Sequence, residues 1–376
     1  MFSLTLRCLL SCAIGVLLLF PCESSRAQVP PKKIGVPPRL ATDYIHSVIQ
    51  AGRTFYSRQI VERLGKAISL PATENWEAED ALPLPAQFLI LSSQVSNARG
   101  IGMKYRLISL SPLNEKNFPQ SELEKIGLRE VRTNPDKPFT WLIRREGKWN
   151  FQAIYPDRAV AQSCVSCHNS HPRSSRNDFE VGDVMGGIVI NLPLRGYGKP
   201  GEEETVLVPP EIVADYVHSV IESDRTVYSR HIVDRLQNKK IVDAAENWRK
   251  KNALPLPAQF LLNVSLLVKK NKLGIDFRLI SLWPINIHNG AANEFERVGL
   301  ESVIIHPLRP YIGKMKVGNT RYFQAVYPDF AITPACVKCH NSHSASPKKD
   351  FKLNDIMGGI VVSFPIRKTG ADLFAE

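Results

Sequence analysis

The chain consists of two copies of one unit, and this duplication limits its possible folds more than any other feature. Residues 43–49 return as 215–221, and residues 81–88 return as 253–260. His46 and His218 are 172 residues apart, as are the other paired landmarks, so the copies align without a net gap. A tandem repeat that keeps its internal spacings indicates two domains of the same fold. The length of 376 residues agrees with two domains.

The residues before the first copy have the order of a secretory signal peptide. Arg7 is followed by an apolar run over residues 9–20 and by small residues that end at Ala27. This run is short for a membrane span, and no other segment is long enough. We therefore expect export to the periplasm or another extracytoplasmic compartment of a bacterium, and a soluble mature protein without a transmembrane segment.

The predicted organisation has five parts. A Pro-rich, basic tether, Val29 to Pro38, is expected to be extended and mobile. The segment near residues 196–210 is rich in Gly, Pro and Glu and is typical of a linker. The predicted bounds are 1–27 for the signal peptide, 28–40 for the tether, 41–196 for the first domain, 197–212 for the linker and 213–376 for the second domain.

Each copy contains the pattern Cys-x-x-Cys-His, which is the attachment signature of c-type haem. Two thiols at this spacing can each add to one vinyl group of a porphyrin, and the next imidazole becomes the proximal iron ligand. Two local disulfides, or one zinc site shared by all four cysteines, are the alternatives. The sequence predicts two covalent haem c groups with their iron, held by Cys164, Cys167 and His168 and by Cys336, Cys339 and His340.

The cysteine count supports this interpretation. Of seven cysteines, Cys8, Cys12 and Cys22 lie in the predicted leader, and the other four all lie in the two motifs. An exported chain of this kind has no thiols left for a disulfide framework, and none for the second axial position of an iron.

Charge points to the kind of partner. The chain has 48 basic and 36 acidic residues, a net charge of +12, without a prominent basic run. A generally cationic surface favours an acidic protein partner or an anionic membrane face over nucleic acid. We expect an acidic redox partner protein and no nucleic acid. No residues form a recognisable catalytic arrangement, so we predict no catalytic residue and expect a haem-binding protein rather than an enzyme.

Local patterns predict helices followed by strands in each copy. A long helix is expected from Thr42 or Asp43 to about Leu64, and another after Pro-Leu-Pro. Alternation predicts a strand at 103–107, and Ser121 opens a short helix that Gly127 is expected to end. Further strands are expected at 139–144, 149–155 and 187–192, with a haem loop before the last. The predicted class is α+β with a mostly antiparallel sheet.

These motifs resemble the PAS-like c-type haem domain family, which was long catalogued as a domain of unknown function. The resemblance covers nearly all of both copies and rests on Pro-Leu-Pro-Ala, Arg-Leu-Ile-Ser-Leu-x-Pro, Tyr-Pro-Asp, Cys-Val-x-Cys-His-Asn-Ser-His, and the segments 182–186 and 354–358. It implies two tandem PAS-like domains that bind haem outside the cytoplasm. Such domains often form the sensor part of signalling proteins. Since no output region follows Glu376, we expect signalling only through a partner.

Several residues recur in both copies as candidates for the sixth iron position. His46 and His218 lie on the predicted first helix, on one face with Arg53 and Arg225. Met185 and Met357 follow the proximal histidines by 17 residues; their alternative is plain packing. His171 and His343 follow too closely to reach the opposite haem face and suit a propionate contact or a neighbouring haem. Candidates for propionate contacts are Arg53, Arg225, Arg106 and Arg278. For Arg106 and Arg278 an ion pair is the alternative.

The sixth ligand separates the possible functions. Two imidazoles or a methionine opposite histidine give a six-coordinate iron suited to electron transfer, whereas a vacant position binds gases or peroxide. We predict a periplasmic dihaem protein for electron transfer or redox sensing. The alternatives are a gas- or peroxide-binding haem sensor module and a dihaem peroxidase-like enzyme.

Overall fold

A computed structural model describes residues 34–145, 147–194 and 206–368, and these residues form two similar halves of one compact unit. The predicted signal peptide and most of the predicted linker lie outside the described residues. Each half begins with helices and continues into an antiparallel sheet, so the predicted α+β class with two repeated halves is confirmed.

The first half contains five α-helices and seven strands in the described residues. Its helices are α1 (Pro38–Phe55), α2 (Arg63–Ile68), α3 (Pro85–Ala98), α4 (Glu122–Thr133) and α5 (Gln162–Ser170), with a π-helical segment, Tyr56–Glu62, that joins α1 to α2. Its strands are β1 (Ile34–Gly35), β2 (Ala72–Thr73), β3 (Leu82–Pro83), β4 (Lys104–Ile108), β5 (Phe139–Arg145), β6 (Lys148–Arg158) and β7 (Val184–Pro193).

The second half follows the same order. Its helices are α6 (Pro210–Val227), α7 (Arg235–Asn238), α8 (Pro257–Lys270), α9 (Glu294–Ile305) and α10 (Pro334–Ser342), with the π-helical segment Tyr228–Asp234 between α6 and α7. Its strands are β8 (Asp276–Ile280), β9 (Tyr311–Val317), β10 (Thr320–Phe330) and β11 (Ile356–Lys368).

The two main sheets have equivalent strand orders. The first has the order β4-β7-β6-β5 and the second places β8, β11, β10 and β9 in the same way, with antiparallel neighbours throughout. Both sheets change register where the third strand ends, at Asp157/Arg158 and at Asp329/Phe330. Each irregularity directly precedes a Cys-x-x-Cys-His helix, and a bulge of this kind redirects the chain.

The first helix differs from its predicted start. It begins at Pro38, not at Thr42 or Asp43, because proline at the first position needs no hydrogen-bond partner for its missing N–H. The Thr42 hydroxyl instead donates to the Arg39 carbonyl within the helix. Beyond Phe55 the helix continues through the π-helical segment to Ile68, and short π segments of this kind occur often at functional sites.

The fourth helix is longer than predicted. The Ser121 hydroxyl caps it by accepting the Glu124 backbone N–H at 3.2 Å, as expected. The prediction that Gly127 ends the helix is wrong, because the helix runs on to Thr133. Glycine is needed there for packing, since a Cβ atom would overlap Ile154 and Phe139.

The end of the predicted tether is part of the second sheet. Ile34 and Gly35 pair with Lys368 and Arg367, the last two residues of β11, and Val36 forms a bridge with Val208. For these residues the expectation of a mobile tether is wrong; residues 28–33 lie outside the described ranges.

One hydrophobic core is shared by the halves. Helices α1 and α3 pack against α6 and α8. At the contact, Phe88 stacks on Tyr56 with ring centroids 4.5 Å apart, and Phe260 stacks on Tyr228 at 4.4 Å. The two phenylalanines meet edge to face at 6.0 Å. The halves are therefore joined by a continuous aromatic cluster.

Two arginines cross the same contact reciprocally. Arg63 donates to the Ala253 carbonyl, and its guanidinium lies 4.7 Å from the centre of the Trp248 ring. Its counterpart Arg235 donates to the Ala81 carbonyl and lies 4.7 Å from the Trp76 ring. Each half thus holds the loop that precedes the third helix of the other.

Within the described ranges, no helix has both the length and the apolar character that a membrane crossing requires.

Candidate functional site

Each Cys-x-x-Cys-His motif lies on a short helix rather than in the expected loop. Cys164, Cys167 and His168 occupy α5, and their counterparts occupy α10. Residues spaced by three and four positions share one face of a helix, so both thiols and the imidazole point to the same side. The helix α5 packs against the π-helical segment Tyr56–Glu62. The motif is thereby presented beside the long first helix.

The residues of each motif can be compared with the donor set of a c-type haem. All four motif cysteines are free, so no local disulfide forms. Among the described residues, no group of three or more His, Cys, Asp or Glu side chains is placed to share a metal ion. The His340 Nδ1 atom is buried and has no hydrogen-bond partner. Two free thiols and an imidazole on one helix face are the donor set that a c-type haem requires, and the unpartnered nitrogen is seen in the second half.

An asparagine and a phenylalanine fix the chain after the motif. The Asn169 amide donates to the Phe179 carbonyl at 3.0 Å and accepts the Phe179 N–H at 2.9 Å. The Phe179 ring meets the His168 ring edge to face at 5.9 Å. The second half has the same contacts from Asn341 and Phe351. Sequence reasoning did not assign these residues; the only available signal was that both recur at equal spacing.

A buried ion pair lies behind each motif. Arg53 pairs with Asp157, and Arg225 pairs with Asp329 at 2.9 Å, with every side chain less than one tenth exposed. Burial raises the pKa of both aspartates, that of Asp329 to about 6, although the arginines oppose the shift. The arginines thus already have partners, and a propionate would share them with the aspartates. Asp157 and Asp329 were missed as partners, although both belong to the repeated Tyr-Pro-Asp.

Burial and a nearby arginine both act against the charged form of the motif histidines. Burial lowers the pKa of His168 and His340 most, and the charges of Arg53 and Arg225 lower it further. Neutral imidazole is the form that binds a metal. The same interaction indicates that Arg53 and Arg225 lie near the motif histidines; their contact with a propionate stays a prediction.

Arg106 and Arg278 form ion pairs, which was the alternative to a propionate contact. Arg106 pairs with Glu124 and Arg278 with Glu296, which are both buried. Each carboxylate also accepts a backbone N–H at the start of its helix, from Gln120 at 2.6 Å in the first half. These arginines tie the fourth helix of each half to the sheet, and their role towards a haem stays a prediction.

His46 and His218 lie away from the motifs. Their rings stack on Tyr155 and Tyr327, with centroids 4.0 and 3.8 Å apart. Burial lowers the pKa of His46 to about 3 and that of His218 to about 4. His46 precedes the π-helical segment that contacts α5 by ten residues, which is about 15 Å along the helix. The structure therefore does not bring the helix histidines and the cysteines together.

Met185 and Met357 do lie at the motifs. Met185 packs against the cluster that contains Cys164 and Val165. Met357 packs in the equivalent cluster, against which Cys336 also packs. The Ser109 hydroxyl donates to the Met185 carbonyl at 3.0 Å and fixes the backbone there. Of the two predicted candidates for the sixth position, only the methionines share a cluster with the cysteines.

His171 and His343 face carboxylates. The His171 Nε2 atom lies 3.4 Å from Glu74, and the His343 Nε2 atom lies 3.3 Å from Glu246. Each Nδ1 atom accepts a backbone N–H two residues on, at 3.1 Å. These histidines connect the motif to the loop before β3 and to its counterpart in the second half.

Comparison with known proteins places this chain in a family. Its sequence matches the Tll0287-like family, described as Tll0287, over residues 39–193 and again over residues 208–365. The chain belongs to the Tll0287-like family. The two matched segments correspond to the two halves, so each half is one copy of the Tll0287-like domain.

One solved structure that resembles the chain is described as "Crystal structure of the cyanobacterial heme-protein Tll0287". It is 16% identical, with a TM-score of 0.26 over 42% of this chain and 96% of that chain. At this level the likeness carries no weight of its own beside the family match. No curated protein matches the chain.

Proposed function

We propose that each half binds one haem c through two thioether links. Cys164 and Cys167 hold the first, with His168 as the proximal ligand, and Cys336, Cys339 and His340 hold the second. The observation that carries the proposal is the donor set itself: two free thiols and one imidazole on a single helix face, repeated in both halves. Membership of a family named after a protein described as a haem protein supports it.

We propose Met185 and Met357 for the sixth iron position. The support is their packing with the motif cysteines, whereas His46 and His218 are stacked on tyrosines farther along the first helix. A thioether opposite imidazole raises the reduction potential of haem iron relative to two imidazoles.

The buried arginines are expected to change the potential less than the methionines do. Arg53 and Arg225 act on the proximal imidazoles, as the lowered pKa values of His168 and His340 indicate. Their positive charges are offset by Asp157 and Asp329, with which they pair. We therefore expect the sixth ligand to set the potential of each iron.

The function we infer is electron transfer, or redox sensing read by a docked partner, in an extracytoplasmic compartment. Haem iron supplies the one-electron chemistry when it is bound. The protein would supply a methionine as the sixth ligand and a neutral imidazole as the proximal ligand. The contacts of the motif helix with the first helix and the sheet would hold both ligands in place. A six-coordinate iron held in this way passes electrons and binds gases poorly, which favours this function over a gas sensor or a peroxidase.

Spectroscopy tests the proposal. The chain is expressed in bacteria that mature c-type cytochromes, and haem per chain is determined from the pyridine haemochrome spectrum and the intact mass. We expect two covalent haems in the wild type, one in C164A/C167A, one in C336A/C339A and none when all four cysteines are replaced. Carbon monoxide should leave the reduced wild-type spectrum nearly unchanged.

Ligand variants complete the test. M185A should open one iron to carbon monoxide and lower its potential, whereas H46A should do neither. The same change in H46A alone would reverse the ligand assignment. A colourless wild-type protein, or one with zinc at its cysteines, would refute the proposal as a whole.

A further inference from the structure

The loops beside the two motifs carry opposite charge. Residues 72–80 of the first half contain four carboxylates and no cation, namely Glu74, Glu77, Glu79 and Asp80. The equivalent residues 244–252 contain one carboxylate, Glu246, and three cations, Arg249, Lys250 and Lys251. All of these side chains are exposed. Three aligned positions are acidic or neutral in the first half and basic in the second.

Both loops are attached to their motifs. Glu74 contacts His171 in the first half, and Glu246 contacts His343 in the second, at 3.4 and 3.3 Å. Arg249 follows Glu246 by three residues, and its guanidinium lies over Trp248 at 3.9 Å. Each loop therefore contacts its motif segment through one carboxylate, and the other charges of the loop follow within six residues of it.

The motif segments show the same contrast. Residues 162–185 contain two arginines against three carboxylates, whereas residues 334–357 contain four lysines against two aspartates. Lys338 is exposed between the two motif cysteines, at the position of Ser166 in the first half. Lys349 and Lys352 are also exposed, and the side chain of Leu353 beside them is 50% exposed. The equivalent Val181 of the first half is 52% exposed, so the contrast between the motif segments lies in their charges.

Contacts across the halves reduce the difference without removing it. Asp80 in the acidic loop is paired with Lys239 of the second half, which offsets one of its four charges. Each loop also receives one arginine from the other half, because Arg63 lies over Trp248 and Arg235 lies over Trp76. We call the second-half surface the basic face; its residues are Arg249, Lys250, Lys251, Lys338, Lys349 and Lys352.

We propose that the basic face docks an acidic electron-transfer protein, and that the acidic surroundings of the first motif exclude it. The partner would thus exchange electrons with the second half only. This inference rests on the proposed function. Complementary charge accelerates encounter and fixes orientation, and the net charge of +12 attracts the same partner from a distance. Two copies of a chain with that charge repel each other, so a second copy is the weaker occupant.

A binding experiment tests the docking surface. The probe is an oxidised, fluorescently labelled plant-type ferredoxin, an acidic electron-transfer protein, titrated with the haem-loaded chain at about 20 mM and about 300 mM salt. Fluorescence anisotropy reports the binding. We expect one probe per wild-type chain at low salt and a large loss of affinity at high salt. R249E/K251E, which introduces the first-half residues at both positions, should weaken low-salt binding about tenfold.

Two control variants make the result specific. K314E/K316E changes two exposed lysines on β9 and alters the net charge by the same amount, so it should weaken binding less than about threefold if docking is local. E77R/A78K/E79K grafts the second-half residues onto the first half and should raise the stoichiometry towards two probes per chain.

Specific outcomes would overturn the proposal. Equal losses in R249E/K251E and K314E/K316E would show attraction by net charge alone. Wild-type assembly in sedimentation velocity that R249E/K251E disperses would identify a second copy as the occupant. Anisotropy does not require haem, so a colourless chain that still binds the probe would refute the proposed function and leave the docking surface standing.

Discussion

Gly52 of α1 faces Asp224 of α6, although the two residues occupy equivalent positions in the repeats. A Cβ atom at Gly52 would overlap the Asp224 carboxyl, so glycine in one copy makes room for the acid in the other. The Asp224 Oδ2 atom is buried, and no hydrogen-bond partner for it is found in the described ranges. By contrast, Arg63 and Arg235 make equivalent contacts in both directions, to which Arg235 adds a bond of 3.4 Å to the Trp76 carbonyl. We call the Arg63 and Arg235 contacts the symmetric edge of the contact between the halves, and the Gly52–Asp224 contact its asymmetric centre. Because of the centre, the two halves are not interchangeable.

The largest expected effect concerns a feature that the halves share. Removing Arg53 or Arg225 leaves a buried aspartate without its partner, and we expect each alanine variant to lower the unfolding free energy by about 3–5 kcal/mol. Urea unfolding followed by circular dichroism measures this. The double variant R53M/D157L removes both charges and should recover most of the loss. Clearly unequal losses from R53A and R225A would show that the two ion pairs do not support equivalent cores.

The next effect belongs to the asymmetric centre. Burial raises the pKa of Asp224 to about 7 from its usual value near 4, although the Ser92 hydroxyl opposes the shift. The folded state therefore binds the proton more tightly than the unfolded state. The stability this provides is complete below about pH 4 and is lost as the pH rises to about 7.

The variant D224N isolates that contribution. At pH 7.5 we expect it to be more stable than the wild type by about 1–3 kcal/mol, and at pH 4 the difference should disappear. Thermal or urea unfolding at several pH values gives the stability of the wild type and of D224N as functions of pH. The contributions of the other buried aspartates are the same in both proteins and cancel in the difference. A constant difference across this range would mean that Asp224 stays charged or finds a partner.

The symmetric edge gives a smaller effect. R63A and R235A each remove a hydrogen bond to a backbone carbonyl and a cation–π contact, and each should cost about 1–2 kcal/mol, measured by urea unfolding. Equal losses would support the symmetric contact. A loss confined to one variant would show that one loop, around Trp76 or Trp248, carries the attachment. The lysine variants serve as controls because they keep the charge and lose the planar hydrogen-bonding group.

The smallest effect concerns the turn before the last strand. Gly182 and Asn354 both have positive φ angles, 106° and 70°. Asparagine tolerates this region better than other side chains, so N354G should change the unfolding free energy by only a few tenths of a kcal/mol. N354V should cost clearly more, because a β-branched side chain is strained there. Equal stability of N354G and N354V in urea unfolding would contradict the turn geometry.

Local sequence patterns predicted much of the fold. The constant repeat spacing indicated the two halves, the helices after Pro-Leu-Pro begin at Pro85 and Pro257, and the alternating segments became β4 and β8 within one residue. These features depend on neighbours in the chain. Gly127 misled the prediction because its small size serves a contact with distant residues, Phe139 and Ile154, rather than a helix end.

The site was predicted less completely, for the same reason. The Cys-x-x-Cys-His spacing fixes three groups on one helix face without help from the rest of the chain. The partners of Arg53 and Arg106 are Asp157 and Glu124, and neither pairing follows from sequence spacing. The position of His46 on the helix face was recognisable, but its stacking on Tyr155 depends on how the sheet packs against that helix.

The pairing of Ile34 and Gly35 with β11 has a consequence for the order of folding. The first described strand, β1, cannot pair until β11 has been synthesised, because its partners Lys368 and Arg367 lie at the other end of the described chain. During synthesis most of the helices and the whole first sheet can form before that partner exists, and contacts between such distant residues are slow to close. The second sheet is therefore completed last, and this pairing closes residues 34–368 into a loop.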